Sequence, residues 1–254
     1  MLSNRISKML LSGAVLGGLA GVANAGMNID IRATGLGGTA GATLVNGKLV
    51  TGAVVGTVVN FDIFAVVTGT NTATNDDKFI SVAGSWKSSQ GGLLGNIVAG
   101  IVESVRDSDG EIVTAGFDGL GSSVGTQQDL DSDTDLDVGS NVASDANNFW
   151  AARFALAPAG SGASSPSPTS GGRRIGFGSF TVTNAQLQTI INFDGRAAST
   201  AANYIQDGAT VQEASVNGAL GLTVIGGGGG PTPEPATLSL LGLAGLGMVR
   251  RRRA

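Results

Sequence analysis

The chain contains no cysteine and no histidine. Without cysteine there can be no disulfide, and without either residue the usual ligands of zinc and copper are missing. Catalytic arrangements built on an imidazole base, Ser-His-Asp and Cys-His alike, are excluded on the same ground. Aromatic residues make up 5% of the chain and charged residues 13%, so stacking platforms for sugars or bases are scarce. Positive charge is also short, with 15 Lys+Arg against 19 Asp+Glu. No apolar run reaches the ~20 residues that a membrane-spanning helix needs. What survives these exclusions is the chemistry of carboxylates and of hard, oxygen-seeking cations.

Glycine is abundant, 42 of 254 residues, more than twice its usual ~7% share. It shows no collagen-like period and instead punctuates short strand-like stretches, where turns need positive φ. Residues 27–33 (MNIDIRA) alternate apolar and polar, the signature of a half-buried strand. Asn46-Gly47 between Val45 and Leu49 reads as a hairpin turn. Residues 57–68 (TVVNFDIFAVVT) and 78–86 (KFISVAGSW) are rich in β-branched and aromatic side chains. Residues 97–105 and 111–117 flank Asp109-Gly110, and residues 210–216 and 219–225 flank Asn217-Gly218, two further hairpin signals.

In residues 174–183 (RIGFGSFTVT) the apolar phase changes, which predicts a bulge near Gly178. Residues 145–156 fit a strand or a short helix equally, since Phe149, Ala152, Arg153 and Leu156 fall at helical spacing. Residues 35–41 (GLGGTAG) look superficially like a phosphate loop but lack the following Lys-Ser/Thr, and read as a turn. Trp86, Trp150 and Tyr204 are expected in core or edge packing and not in a sugar platform. The pattern predicts an all-β fold, an antiparallel β-sandwich or jelly-roll-like body.

The two ends are different in kind. Arg5 and Lys8 precede an apolar stretch over residues 9–22, and Ala23-Asn24-Ala25 supplies the small residues that signal peptidase accepts. Cleavage after Ala25 is expected; the alternative is an N-terminal anchor. At the other end come Gly226 to Gly230, then Pro-Thr-Pro-Glu-Pro, an apolar run over residues 236–249, and Arg250, Arg251, Arg252 and Arg253. The glycines form a flexible linker and the prolines hold the next segment extended. The apolar run is too short to cross the ~30 Å hydrocarbon core unaided, and the arginines stay on the cytoplasmic side. Before processing, the tail is therefore a transient inner-membrane tether with the body outside.

Pro233-Glu234-Pro235, a short apolar helix and a terminal basic cluster together resemble the PEP-CTERM sorting signal of bacterial envelope proteins. The same tail is also classed as an ice-binding protein C-terminal domain, a label for the tail rather than for an activity. The resemblance implies recognition by an exosortase-type transpeptidase, removal of the hydrophobic tail, and release to the cell surface or extracellular matrix. Association with exopolysaccharide follows from the same resemblance. An ordinary tail anchor is the alternative. The chain thus divides into a signal peptide (1–25), a sandwich body (26–225) with a flexible loop (161–172), a Gly/Pro linker with the PEP motif (226–235) and a hydrophobic helix plus arginine cluster (236–254). Stretches 59–69, 178–183 and 192–195 resemble the sandwich bodies of other secreted proteins with this tail, some cohesin-like or carbohydrate-module-like. Losing both ends removes six basic residues and one acid, so the body is more acidic than the whole chain at −4. Such a body has no footprint for nucleic acid.

One stretch could carry chemistry. Asp129, Asp131, Asp133, Asp135 and Asp137 occupy every second position. In a strand they would share one face and repel. Curled into a loop, they can converge on calcium, which takes six to eight oxygen ligands. With Asp129 as loop position 1, the other four fall at positions 3, 5, 7 and 9, with position 7 giving its backbone carbonyl. The spacing resembles the calcium loops of dockerins and of integrin-type propeller repeats. It departs from them at Thr134, where a glycine makes the turn, and at Ser140, where a bidentate acid belongs. A solvated acidic turn is the other reading, and a paired-carboxylate glycan hydrolase a third. The body is expected to be non-enzymatic, with a calcium-dependent carbohydrate-binding or adhesive module as the alternative.

Overall fold

The computed structural model describes residues 26–71, 73, 76–88, 92–155, 165–166, 172–197, 201–209, 211–214 and 221–227. Its strands are β1 (Gly26–Gly38), β2 (Thr43–Asn46), β3 (Leu49–Ala53), β4 (Thr57–Thr68), β5 (Lys78–Ser88), β6 (Leu93–Ile101), β7 (Val105–Arg106), β8 (Ile112–Thr114) and β9 (Ser123–Val124). They continue as β10 (Gln127–Gln128), β11 (Asp137–Val138), β12 (Trp150–Arg153), β13 (Ser165–Pro166), β14 (Arg173–Ala185), β15 (Gln188–Gly195), β16 (Ala202–Ile205), β17 (Gln212–Ala214) and β18 (Leu222–Gly226). No helix occurs among the described residues, and the fold is the all-β sandwich that the sequence predicts.

One sheet is antiparallel with strand order β1-β4-β14-β6. The other runs β10-β11-β5-β15-β18-β3-β2, with β9, β12, β13, β16 and β17 attached beside that path. Its β3 and β18 pair in parallel, a departure from a purely antiparallel body. Alternation explains how the sheets face each other. In β4, Val59, Phe61, Ile63, Ala65 and Val67 are buried, while Asn60, Asp62 and Phe64 lie on the outer face. Ile29 and Ile31 of β1, Ile97 of β6 and Phe180 of β14 complete one inner face. Phe79, Val82 and Trp86 of β5, Ile191 and Phe193 of β15, and Leu222 and Val224 of β18 meet them from the other sheet in a single core. Each large apolar side chain buried this way contributes roughly 1.5–3 kcal/mol.

Strand β5 is the organiser of its sheet. Along one flank it pairs with β15 and β16, and along the other with β11, β12 and β13. Its Trp86 sits opposite Phe193 and Val138. The ring centroids of Trp86 lie 4.8 Å from Phe193, 5.5 Å from Trp150 and 6.4 Å from Phe61 of the facing sheet. Trp86, Trp150 and Tyr204 are all buried, as expected of core residues.

Four local expectations change. The bulges of β14 fall between Arg174 and Gly176 and between Val182 and Asn184, whereas Gly178 pairs regularly with Phe61 and Ala99. The extra residue at Ile175 resets the phase, so Ile175, Phe180 and Val182 all reach the core. Asn217-Gly218 lies outside the described residues, and of the strands on either side β17 pairs with β16, and β18 with β15 and β3, where the sequence predicts that the two form a hairpin. The ambiguous segment holds a strand, β12, because its backbone is taken up by β5 and β9; Leu156 lies outside the described residues. Finally, Gly35 to Gly38 extend β1 against β4, and only the residues after them turn.

Gly178 lies between β4 and β6, where a Cβ would press on the Val98 carbonyl and lie 2.5 Å from the Phe61 ring. Gly35, at a bulge, has nothing within 4 Å of that position. Gly178→Ala is therefore expected to lower stability by about 1–3 kcal/mol and Gly35→Ala to leave it within ~0.5 kcal/mol, both read from urea unfolding midpoints. Equal midpoints for the two variants would contradict the close packing of β14 against Phe61.

Candidate metal centre

The acidic stretch is the loop of a hairpin. Strands β10 and β11 pair through Gln128 and Asp137, and the residues between them curl back. The curl is held by the first aspartate. Asp129 Oδ1 accepts the backbone N–H of Ser132 at 2.6 Å and of Asp133 at 3.3 Å, and Oδ2 accepts that of Thr134 at 3.2 Å. Ser132 and Thr134 adopt φ of 66° and 79°, the left-handed region, which curls the backbone so that the alternate side chains converge instead of standing in a row along one face. Asp133 Oδ1 accepts the N–H of Asp135 at 3.1 Å.

The five aspartates come together as two trios that share Asp131. One carboxylate oxygen each from Asp129, Asp131 and Asp133 lie within 4.8 Å of one another, and so do oxygens from Asp131, Asp135 and Asp137. The first trio is at the surface and the second reaches the interior, where Asp135 is 1% and Asp137 0% exposed. It is the carboxylate of Asp135 that the structure brings to the site, whereas the spacing assigns position 7 a backbone carbonyl.

Both sheets support the inner trio. From β5, the Ser88 hydroxyl donates to Asp135 Oδ2 at 2.5 Å and the Ser88 N–H to Asp137 Oδ1 at 3.0 Å. From β6, the Gly95 N–H donates to Asp135 Oδ2 at 3.2 Å, and Asn96 Oδ1 accepts the Leu136 N–H at 3.1 Å. The Leu136 carbonyl in turn accepts the Ile97 N–H at 2.7 Å. Ser88, Gly95 and Asn96 carry no direct sign of this role in the sequence. The only available signal is parity, since Ser88 continues the inward alternation of Trp86 with a polar residue. Gly95 fits because a Cβ there would press into the Phe180 ring, 2.6 Å from the Thr181 carbonyl.

Burial dominates the electrostatics. It pushes the Asp137 carboxyl up to about 7, against the Ser88 N–H and reinforced by the charges of Asp135 and Asp131. It pushes Asp135 up to about 6, against the hydrogen bonds from Ser88 and Gly95. Asp131 is raised by burial and by repulsion from Asp133 and Asp129. No cation among the described residues pairs with Asp135 or Asp137, in contrast to Asp30, which is ion-paired with Arg32 and Lys48. Chemically, an all-oxygen, anionic cluster can hold a hard cation or share protons.

The remaining predicted site residues, Ala23 and Ala25 at the leader and Pro233, Glu234, Pro235, Arg250, Arg251, Arg252 and Arg253 at the tail, lie outside the described residues, as do the hydrophobic helix and most of loop 161–172. Residues 231–253 match the PEP-CTERM protein-sorting motif. That motif implies an exported protein that an exosortase sorts to the cell surface. No curated protein and no solved structure matches the chain.

The raised carboxyls set a pH dependence. In the unfolded chain an aspartate titrates near ~3.9; in the folded body Asp135 and Asp137 hold their protons to about 6 and about 7. The folded state therefore binds more protons across this window, and stability falls as pH rises through it. In EGTA, the urea midpoint of the wild type relative to Asp137→Asn is expected to decline steadily from pH 5 to 7.5. A difference that stays flat or rises across that range would show that Asp137 ionises freely.

Proposed function

We propose that the chain is a non-enzymatic surface or matrix protein, which an exosortase-type transpeptidase processes at the sorting motif and which then stays with the exopolysaccharide outside the cell. The motif at residues 231–253 carries this reading, and signal peptidase acting after Ala25 supplies the export step. Two concave features of the body bear on the glycan-hydrolase alternative. A cavity of about 90 Å³ is lined by Ser85, Ser140, Asn141 and Asp194, and an open groove of about 490 Å³ by Phe64, Glu103, Thr114 and Arg173. Each offers one carboxylate, where glycoside hydrolysis uses a pair. The two tryptophans, Trp86 and Trp150, are enclosed in the core.

A second reading, a calcium-dependent carbohydrate-binding or adhesive module, is favoured by the buried aspartates of the β10–β11 loop. Glycan-array binding that disappears in EGTA would favour it over the first.

Processing is the direct test. The extracellular form is expected to begin at Gly26 and to lack residues 236–254, read from the intact mass and terminal peptides. Recovery of Arg250 to Arg253 on the surface protein would overturn the exosortase step in favour of a plain tail anchor. Replacing the four arginines with serine is expected to weaken membrane retention of the precursor, because the apolar run is too short to stop transfer alone.

A further inference from the structure

The hairpin loop of aspartates touches both layers of the sandwich, and its innermost carboxylates are left incomplete by the protein. Asp135 and Asp137 each use one oxygen to accept hydrogen bonds from β5 or β6. The other oxygens, Asp135 Oδ1 and Asp137 Oδ2, are buried and accept nothing, and Asp133 Oδ2 is in the same position nearby. A buried carboxylate oxygen without a hydrogen bond, on a group with no countercharge, is costly, and native interiors rarely keep one. Two such oxygens, one on Asp135 and one on Asp137, point to a missing partner.

The spacing says what kind. Ligand oxygens at 2.3–2.6 Å from a calcium ion can be at most ~5 Å apart. The oxygens from Asp131, Asp135 and Asp137 lie within 4.8 Å of one another. The donors are all carboxylate oxygens, which suits a hard cation and not zinc or copper. They come from a loop with Asp129 and Asp133 at its rim, which gives several protein oxygens of unequal reach. Calcium tolerates that irregularity, whereas magnesium demands near-octahedral geometry and keeps much of its water.

We propose that Asp131, Asp135 and Asp137 form a calcium site that fastens β5 of one sheet to β6 of the other. The ion completes the oxygens that Ser88 and Gly95 leave open, and so links the layers of a body that has no cysteine for a disulfide. This site stands apart from the processing of the tail, and the failure of either leaves the other intact.

The test uses the full chain, stripped with EGTA at pH 7.5 and titrated with CaCl2 by calorimetry, with thermal unfolding followed in parallel. Binding is expected with one dominant site and Kd of about 10⁻⁴–10⁻³ M, the range of extracellular modules. At ten times Kd, the Tm is expected to rise by several degrees. Magnesium at the same concentration is expected to give less than half that rise, and NaCl of equal ionic strength none. Asp137→Asn is expected to weaken calcium binding at least tenfold and, in EGTA, to melt above the wild type, because a neutral amide replaces a buried charge. Asp135→Asn gives the same readout should the first variant fold poorly. Identical melting in CaCl2 and EGTA would overturn the site in favour of a shared proton. An equal rise with magnesium, or wild-type affinity in either variant, would overturn the ion or the ligands named here.

Discussion

Burial of Trp86 between the two sheets is the contact on which the other arrangements depend. The ring meets Phe61 from one sheet and Phe193 and Trp150 from its own. Such pairs add roughly 0.5–1.5 kcal/mol each beyond the area they remove from water. Trp86 also fixes the register of β5, which in turn receives β11, β12, β15 and β16 along its two flanks. Its Nε1 is buried without an acceptor among the described residues, while that of Trp150 donates to the Gly100 carbonyl. The ring at position 86 is there for its volume. With no disulfide available, this packing does most of the work of keeping the layers together.

Two polar links around buried acids join elements of the two sheets, and the fold treats their charge in opposite ways. At one, Lys48 from the β2–β3 turn reaches Asp30 and the Ile31 carbonyl of β1, with Arg32 on the other carboxylate oxygen. There the acid is matched by cations from the chain. Burial lowers the Lys48 pKa, against the hydrogen bond and charge of Asp30. At the other, Asp135 and Asp137 accept hydrogen bonds from neutral groups, those of Ser88 and Gly95 among them. Two cations reach Asp30, and none among the described residues pairs with this equally buried pair of acids. That contrast is the physical reason to look for a charge from outside.

Much of the fold is legible in the sequence where alternation runs long enough. Residues 27–33 and 57–68 show it over many positions, and β1 and β4 sit where it predicts. Legibility fades where glycine carries no hydropathy signal. The phase change in β14 is visible, yet Gly176 and Gly178 hide which residue is the extra one. It fails where turn chemistry must name a partner: Asn217-Gly218 is a turn signal in the sequence, but only the tertiary structure decides that β18 joins β15 and β3. The helical spacing of Phe149 and Ala152 is overridden by pairing to β5, since a propensity that weak yields to a full set of ladder hydrogen bonds. The candidate site divides in the same manner. Its acids are plain in the sequence. The parts that make it a site, Ser88 and Gly95, are some forty residues away along the chain and are brought in by the stacking of the two sheets.

The C-terminal side of the body ends on β18, which is not an edge. It lies antiparallel to β15 and parallel to β3, and Gly226 and Gly227 donate to the Leu187 and Ala53 carbonyls. Any tension transmitted from the linker that follows would run along the axis of β18, embedded on both sides. The ladder bonds would then bear the load together, in shear, and would not unzip one at a time as at a peeled edge.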